Sequence, residues 1–520
     1  MNQKKILIRG VNWIGDAVLT IPAIKAIRKA FPAAHISLLA KPWVAEVFSE
    51  SPDIDEIISY DEKFKGIMGK FRLAKILRES GFDTAILLQN AFDAALITWL
   101  AKIPERIGYK RDCRSFLLTK GIPVPEEILG QHQINYYLNI VRSIKVDIKE
   151  TPPYIHLSDN ERQKARETIS SGLQDPHLPL IGINPGAAYG SAKRWPPENF
   201  AELIMKIIND LNGRVIIFGS PAELEIANEI INEINTLKIK RKTEYGSRLM
   251  VMSGKTSLRE LAALISECDA FITNDSGPMH MASALYVPTA AIFGSTDPVA
   301  TGPFGKGHKV ITTGLDCSPC LKRECPKKDL ACMTDITPDM VFSALNEILP
   351  KNRGIFLDKD GTIIEDKNYL NSFDDLVILP LAKKSLQKLK EAGFKLIGVT
   401  NQSGIRRGIV DEKFVLESNE HLEKKLGIDA FYYCPHHPDD KCSCRKPEPM
   451  MMLKARLDHG IDLKRSYVIG DKESDVLLGR NTSATGILIS STPLFANSSA
   501  AFIARDLKEA AEWILDRERV

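Results

Sequence analysis

Phe356-Leu357-Asp358-Lys359-Asp360-Gly361-Thr362 sets an apolar strand end directly against two carboxylates at i and i+2. In an open parallel α/β sheet, the carboxyl ends of the strands are where ligands bind. A carboxylate nucleophile, with a second acid beside it to protonate a departing oxygen, is what phosphomonoester hydrolysis through a covalent intermediate requires. Positive charge is needed too, to offset the phosphoryl oxygens. The residues that follow supply these parts in order. Val399-Thr400-Asn401-Gln402-Ser403 closes a second strand with hydroxyl and amide donors, and Arg445-Lys446-Pro447 brings the cations. Tyr467-Val468-Ile469-Gly470-Asp471-Lys472-Glu473-Ser474-Asp475 ends a third strand with carboxylates suited to a hard cation such as Mg²⁺. Two aspartates in a loop are usually a solvated surface pair, but four such elements in sequence point to phosphoryl chemistry.

Outward from that stretch, the chain repeats a short apolar run followed by an amphipathic helix. Strands are expected at Ile6-Leu7-Ile8, 35–39, 84–88, 180–183, 215–218, 270–273, 289–293 and 354–357, with helices near 16–30, 159–171 and 507–518. Such alternation predicts an α/β fold of parallel, doubly wound sheets. At 520 residues the chain exceeds one core, and three domains of roughly 150–180 residues are expected. The pattern restarts near Pro179 and again after the polar stretch Pro350-Lys351-Asn352-Arg353, which reads as a linker. The boundaries so predicted are 1–172, 173–350 and 351–520. Apolar content of 44%, charged content of 26% and a net charge of +3 are ordinary for a globular protein and do not point to nucleic-acid binding. No apolar run reaches the roughly 20 residues of a membrane span, and no signal-peptide core follows Met1, so a cytoplasmic protein is expected.

Of the nine cysteines, seven fall into two clusters. Cys434, His436, Cys442 and Cys444 place three thiols and an imidazole within eleven residues, a donor set matching a closed tetrahedral zinc site of structural role. His437 is the neighbouring alternative ligand, with His436 the better spaced. The site abuts Arg445-Lys446, so its expected job is to pin the loop presenting those cations. Cys317, Cys320, Cys325 and Cys332 are also candidates for a metal, but their spacing is not that of a standard zinc knuckle.

From about Arg353 onward, these motifs resemble the haloacid-dehalogenase (HAD) superfamily, in particular the branch of histidinol-phosphate phosphatases and D-glycero-D-manno-heptose 1,7-bisphosphate 7-phosphatases. The stretches 401–408, 432–438 and 470–472 look like the heptose enzymes; the five-residue gap in the zinc loop also occurs in the histidinol enzymes. The resemblance implies a HAD-type Rossmannoid domain with Asp358 as nucleophile and Asp360 as general acid/base. Thr400 and Lys446 would steady the phosphoryl group, Arg445 would recognise substrate, and Asp366, Tyr369, Asn401, Ser403 and Lys472 would line the substrate site. Mg²⁺ would be held by Asp358, the main-chain carbonyl of Asp360, and Asp471.

In the first two thirds, Gly10-Val11-Asn12-Trp13-Ile14-Gly15-Asp16 leads from a strand into a helix. Glycines let backbone approach a ligand, and a helix amino terminus favours an anion; Asp16 could equally be a helix cap. Asn184–Pro196, Thr273–His280 and Phe293–Pro298 are three more loops at strand ends, where a diphosphate site belongs. These stretches, with Cys317–Pro326, resemble the ADP-heptose:lipopolysaccharide heptosyltransferase II type of glycosyltransferase family 9. The resemblance covers roughly Lys5 to Leu349 and implies a GT-B pair of Rossmann-like domains. Asp16 would deprotonate the acceptor hydroxyl, Lys193 would neutralise the diphosphate, and Asp275 would hold the heptose. Ser276, Gly277 and His280 would hold phosphate, with Glu223 by the adenosine and no metal required.

The partners implied are ADP-heptose, a lipid A–Kdo–heptose glycolipid and heptose bisphosphate, with peripheral contact at the inner membrane. Arg106, Lys110, Arg111, Arg114 and Lys120 form a basic stretch that either meets the acceptor or is simply a solvated face. The expectation is thus a bifunctional enzyme of lipopolysaccharide core synthesis. Its rivals are a histidinol-phosphate phosphatase, or a transferase half that binds sugar nucleotide without transferring it.

Overall fold

The apolar runs fold as parallel strands because both of their faces are covered. Ile6 and Ile8 pack into one core while Leu7, between them, enters the core on the opposite side of the sheet, and all three are fully buried. Successive side chains alternate across a strand, so a sheet with helices on both faces demands apolar residues at every position. Each such side chain contributes about 1.5–3 kcal/mol on burial, enough to fix these runs at the centre.

The computed structural model describes residues 3–146, 151–241, 246–490 and 498–518. Its strands form three six-stranded parallel sheets. The first, in the order β3-β2-β1-β4-β5-β6, comprises β1 (Lys5–Arg9), β2 (His35–Ala40), β3 (Glu56–Ser59), β4 (Thr84–Leu87), β5 (Glu105–Tyr109) and β6 (Lys120–Ile122). The second, in the order β12-β11-β10-β7-β8-β9, comprises β7 (Leu180–Asn184), β8 (Arg214–Ile217), β9 (Leu249–Val251), β10 (Ala270–Asn274), β11 (Thr289–Ile292) and β12 (Lys309–Ile311). The third, in the order β15-β14-β13-β16-β17-β18, comprises β13 (Asn352–Leu357), β14 (Lys395–Asn401), β15 (Ala430–Cys434), β16 (Ile461–Gly470), β17 (Thr485–Ile489) and β18 (Phe502–Ala504). In each sheet the chain turns back across its own first strand, creating the switch point outside whose strand ends ligands bind.

The chain divides into two compact units, Met1–Ile348 with the first two sheets and Leu349–Val520 with the third. The expected linker at 350–353 is shorter than the sequence implied. Asn352 and Arg353 already belong to β13, and Arg353 pairs with Glu518 at 2.5 Å. The helix Asp159–Gly172 also departs from expectation. It packs on the helix Leu258–Ser266, with Glu161 2.7 Å from Arg259 and Glu267 3.1 Å from Arg166, so by packing it joins the second sheet and not the first. Among the described residues no helix is long and apolar enough to cross a membrane.

Two candidate active sites

In the first unit, β1 ends at Arg9 and the chain enters the helix Ile14–Ala30, while β10 ends at Asn274 and the chain enters the helix Gly277–Ala284. The amino-terminal ends of the two helices meet. A methyl group on Gly15 would lie 2.7 Å from His280 Cδ2, and one on Gly277 would lie 3.3 Å from Ile14 Cβ, so the approach depends on glycine at position 15. Converging helix amino termini direct unpaired N–H groups and partial positive charge at one place, a setting for a diphosphate.

The cavity there has a volume of about 630 Å³ and is lined by all seven transferase residues singled out from sequence: Asp16, Lys193, Glu223, Asp275, Ser276, Gly277 and His280. Lys193 Nζ donates to Asp275 Oδ2 at 2.5 Å, and Thr296 Oγ1 donates to the same oxygen at 2.7 Å. Asn184 Nδ2 donates to Ser276 Oγ at 3.4 Å, and Asn274 Nδ2 donates to the carbonyl of Pro185 at 2.6 Å, which ties the loops after β7 and β10 together. Glu223 is differently engaged. Its Oε2 accepts from Ser220 N at 2.7 Å and Ser220 Oγ at 2.9 Å, so that oxygen shapes the loop after β8. His280 is buried, with Nδ1 lacking a hydrogen-bond partner; burial lowers its pKa to about 4, which favours the neutral ring.

Asp16 also lines a second cavity, of about 330 Å³, shared with Gln89, Asn90, Arg111, Gln133 and Tyr137 from the first sheet's strand ends and helices. It is not a cap: the helix begins after Trp13, and Asp16 stands in its first turn. Burial, then the charge of Asp275, raise its pKa to about 6 against the opposing effects of Lys193 and a hydrogen bond with Tyr137. A half-buried carboxylate at the meeting of two cavities, tuned toward neutrality, suits a general base. Tyr137 and Thr296 are site residues that the sequence motifs do not single out; Tyr137 lies on the helix Gln133–Arg142 with no motif to mark it.

The basic stretch does not form a single surface. Arg114 is fully buried, its guanidinium donating to Tyr109 O, Gln89 O and Asn90 Oδ1. Arg106 Nε donates to Leu117 O at 2.7 Å and Lys120 Nζ to Ser143 O at 2.8 Å. Arg111 lines the second cavity. The thiols of Cys317, Cys320 and Cys325 lie near enough to Cys332 to add to the effect of burial in raising its pKa, but no three of the four come within 4.8 Å of one another.

In the second unit, a cavity of about 320 Å³ at the ends of β13 and β14 is lined by Asp358, Asp360, Asp366, Tyr369, Thr400, Asn401, Ser403, Arg445, Lys446 and Lys472. Lys446 Nζ lies 2.7 Å from Asp358 Oδ1 and 2.6 Å from Asp475 Oδ1. Burial works against its charge, but those two carboxylates outweigh burial and hold its pKa above the ordinary lysine value. Asp360 accepts from Gln402 Nε2 at 2.9 Å, and burial raises its pKa, as a proton donor to a leaving oxygen needs. Gln402 Nε2 also donates to Thr400 Oγ1 at 2.9 Å. Asn401 lines the cavity, but both ends of its amide engage the main chain of Lys446, which makes it a support for that loop. Lys472 Nζ lies 3.4 Å from Asp366 Oδ2, and Arg445 Nη1 is a buried donor without a partner.

Carboxylate oxygens of Asp358, Asp471 and Asp475 lie within 4.8 Å of one another. Burial and then the Asp358 charge push Asp471 up to about 6, and its Oδ1 is buried without a partner. Crowded carboxylates with an orphaned oxygen fit a divalent cation. Gly361 has φ of +83°, and a Cβ there would fall 2.5 Å from Asp471 Oδ2, so glycine keeps that oxygen accessible. Cys434, His436, Cys442 and Cys444 gather as a second group: the thiols of Cys434 and Cys442 are 3.5 Å apart, and Cys444 Sγ lies 3.2 Å from His436 Nδ1. His437 instead caps the turn Pro438–Asp440. Three sulfurs and one nitrogen at these separations fit the edges of a zinc tetrahedron.

Comparisons with known proteins follow the same division. The family model described as glycosyltransferase family 9 (heptosyltransferase) matches residues 70–331, and one described as HAD-hydrolase-like matches residues 443–510. Lipopolysaccharide heptosyltransferase 2 of Salmonella typhimurium is 30% identical over 352 residues, covering 66% of this chain and 98% of that protein. The solved structure of the Escherichia coli ADP-heptose lps heptosyltransferase II matches with a TM-score of 0.57 at 29% identity, covering 66% of this chain and 98% of that one. D-glycero-beta-D-manno-heptose-1,7-bisphosphate 7-phosphatase of Helicobacter pylori (strain J99) is 38% identical over 174 residues, covering 32% of this chain and 99% of that protein. The chain therefore belongs to glycosyltransferase family 9 (heptosyltransferase) through its first two thirds and to the HAD-like heptose-bisphosphate 7-phosphatases through its last third.

Proposed function

We propose that this bifunctional enzyme of lipopolysaccharide heptose synthesis works through the two sites described above. In the last third, Asp358 attacks the 7-phosphorus of D-glycero-β-D-manno-heptose 1,7-bisphosphate. Asp360 protonates the departing sugar oxygen, leaving an aspartyl phosphate. Asp360, now a base, then takes a proton from the water that releases phosphate. Lys446 stays against Asp358 to offset phosphoryl charge, and Arg445, with its unpartnered Nη1, meets a substrate oxygen. Mg²⁺ bound by Asp358, Asp471 and the Asp360 carbonyl would supply further charge neutralisation. A structural Zn²⁺ on Cys434, His436, Cys442 and Cys444 would hold the loop from which Arg445 and Lys446 project. The observation that carries this half is the 2.7 Å approach of Lys446 to a buried Asp358, with Asp360 alongside.

In the first two thirds, the cavity lined by residues of the second sheet takes the ADP-heptose donor, and the smaller cavity takes the sugar of a lipid A–Kdo–heptose acceptor at the inner face of the membrane. Asp16, lining both, removes the acceptor hydroxyl's proton as it attacks the heptose anomeric carbon. Lys193 shifts its charge from Asp275 toward the diphosphate as ADP leaves, assisted by the converging helix termini. No metal enters this step.

Phosphate release from the heptose bisphosphate, measured beside histidinol phosphate, tests the phosphatase assignment. Wild type should prefer the heptose substrate, and Asp358→Asn should lose nearly all release. A preference for histidinol phosphate, or an active Asp358→Asn enzyme, would refute it.

A further inference from the structure

The helix Gly66–Glu79 carries apolar residues on two faces. Leu73, Ala74 and Leu77 are buried in the first unit's core, whereas Ile67 (76% exposed), Met68 (77%) and Phe71 (53%) face solvent. The helix lies beside Phe92–Leu100, with Lys70 Nζ 3.8 Å from Asp93 and Arg78 donating to Leu100 O at 2.5 Å, so the two run in the same direction. Exposed Phe92 and Phe116 pair their rings at 6.2 Å at the leading end of the second helix. These apolar side chains therefore share the edge of the first sheet where β3, β4 and β5 end. Large apolar side chains left in water along one edge mark an interaction surface.

Charge distinguishes this edge from an ordinary protein interface. Residues 61–79 hold six cations (Lys63, Lys65, Lys70, Arg72, Lys75 and Arg78) against three carboxylates; Lys63, Lys65 and Lys75 pair with those three (Asp61, Glu62 and Glu79) and Lys70 with Asp93, yet the segment stays net positive. Lysine is depleted at protein–protein interfaces, but lysine and arginine beside large apolar residues typify helices that lie in the interface of anionic membranes. The edge also borders the smaller cavity: Asn90 and Arg111 line that cavity close in sequence to Phe92 and Phe116, and exposed Leu129 lines it directly.

We infer that the face formed by Ile67, Met68, Phe71, Phe92 and Phe116 seats the enzyme on an anionic phospholipid bilayer, so that a lipid-borne acceptor reaches the Asp16 cavity without leaving the membrane. The inference deepens the transferase reading and rests on it for the acceptor; the membrane contact rests on the surface itself.

Flotation of the full-length protein with phosphatidylglycerol–phosphatidylcholine vesicles, and with phosphatidylcholine alone, tests it. Wild type should float with the anionic vesicles and be released by about 0.5 M salt. Met68→Ser combined with Phe71→Ser, and separately Arg72→Glu combined with Lys75→Glu, should each lower the bound fraction about tenfold. Transfer to acceptor embedded in vesicles should fall in parallel, while transfer to a deacylated acceptor and phosphate release should be unchanged. Equal flotation of variants and wild type would overturn the inference, as would indifference to lipid charge. So would a lipid-independent dimer that the variants lose, which would make the face a subunit contact. A wild-type protein unable to use even the deacylated acceptor would contradict the transferase reading instead, and flotation would still decide the membrane contact.

Discussion

Asp16 shows how the fold singles out a residue that its motif alone leaves ambiguous. In sequence it was an aspartate at a helix start, as readily a cap as a base. In the fold it is, with Asn12 and Trp13, one of three residues lining both cavities, and the only carboxylate among those three, pushed up to about 6 by burial and by Asp275. A base works only when deprotonated, so transfer should fall as pH drops through about 6, approaching tenfold per unit below it. The acid limb of kcat/KM against pH checks this, and an Asp16→Asn enzyme should lose about 10²–10⁴-fold in transfer. A flat profile between pH about 5 and 8, or full activity in the variant, would remove Asp16 from the chemistry. The residues that sequence reading found lie in short strand-end motifs, where neighbours in sequence stay neighbours in space. Tyr137, which reaches Asp16 from a different helix, and Arg114, which turned inward to bind three oxygen acceptors, depend on tertiary packing that no local pattern announces.

Among the elements, the loop from Cys434 to Lys446 joins a metal-sized cluster to the cation that pairs with Asp358. Its donors lie within eleven residues, so both the candidate and the preference for His436 were readable from spacing, and in the fold His437 caps the following turn. Loss of one thiol should release the loop. Cys442→Ser is expected to lower bound zinc by one equivalent, destabilise the last third by about 3 kcal/mol and reduce its melting temperature by on the order of 10 °C. Phosphate release should fall with it while heptosyl transfer persists. Metal analysis with calorimetry checks the expectation, and a variant of wild-type stability and zinc content would contradict it. The helix Gly66–Glu79 marks the opposite limit of legibility: its sequence shows apolar residues and cations, but only packing reveals which apolar residues remain outside.

At the scale of the molecule, one strand order used three times places each site at the carboxyl edge of a sheet, and that repetition was visible in the recurring strand–helix pattern. The joins were less visible. The helix Asp159–Gly172 precedes the second sheet's first strand, yet its place is fixed by Arg166 and Arg259, with Arg259 far downstream, and the supposed linker had strand-forming hydrogen bonds waiting in β16. Because the third sheet forms its own compact unit with its own core, each activity should survive loss of the other. The most direct test is to assay both reactions in one preparation each of wild type, Asp16→Asn and Asp358→Asn. The account predicts that wild type both transfers heptose from ADP-heptose and releases phosphate from the heptose bisphosphate, that Asp16→Asn loses only transfer, and that Asp358→Asn loses only phosphate release. A wild type lacking either reaction, or a variant that leaves its own reaction intact, would contradict it.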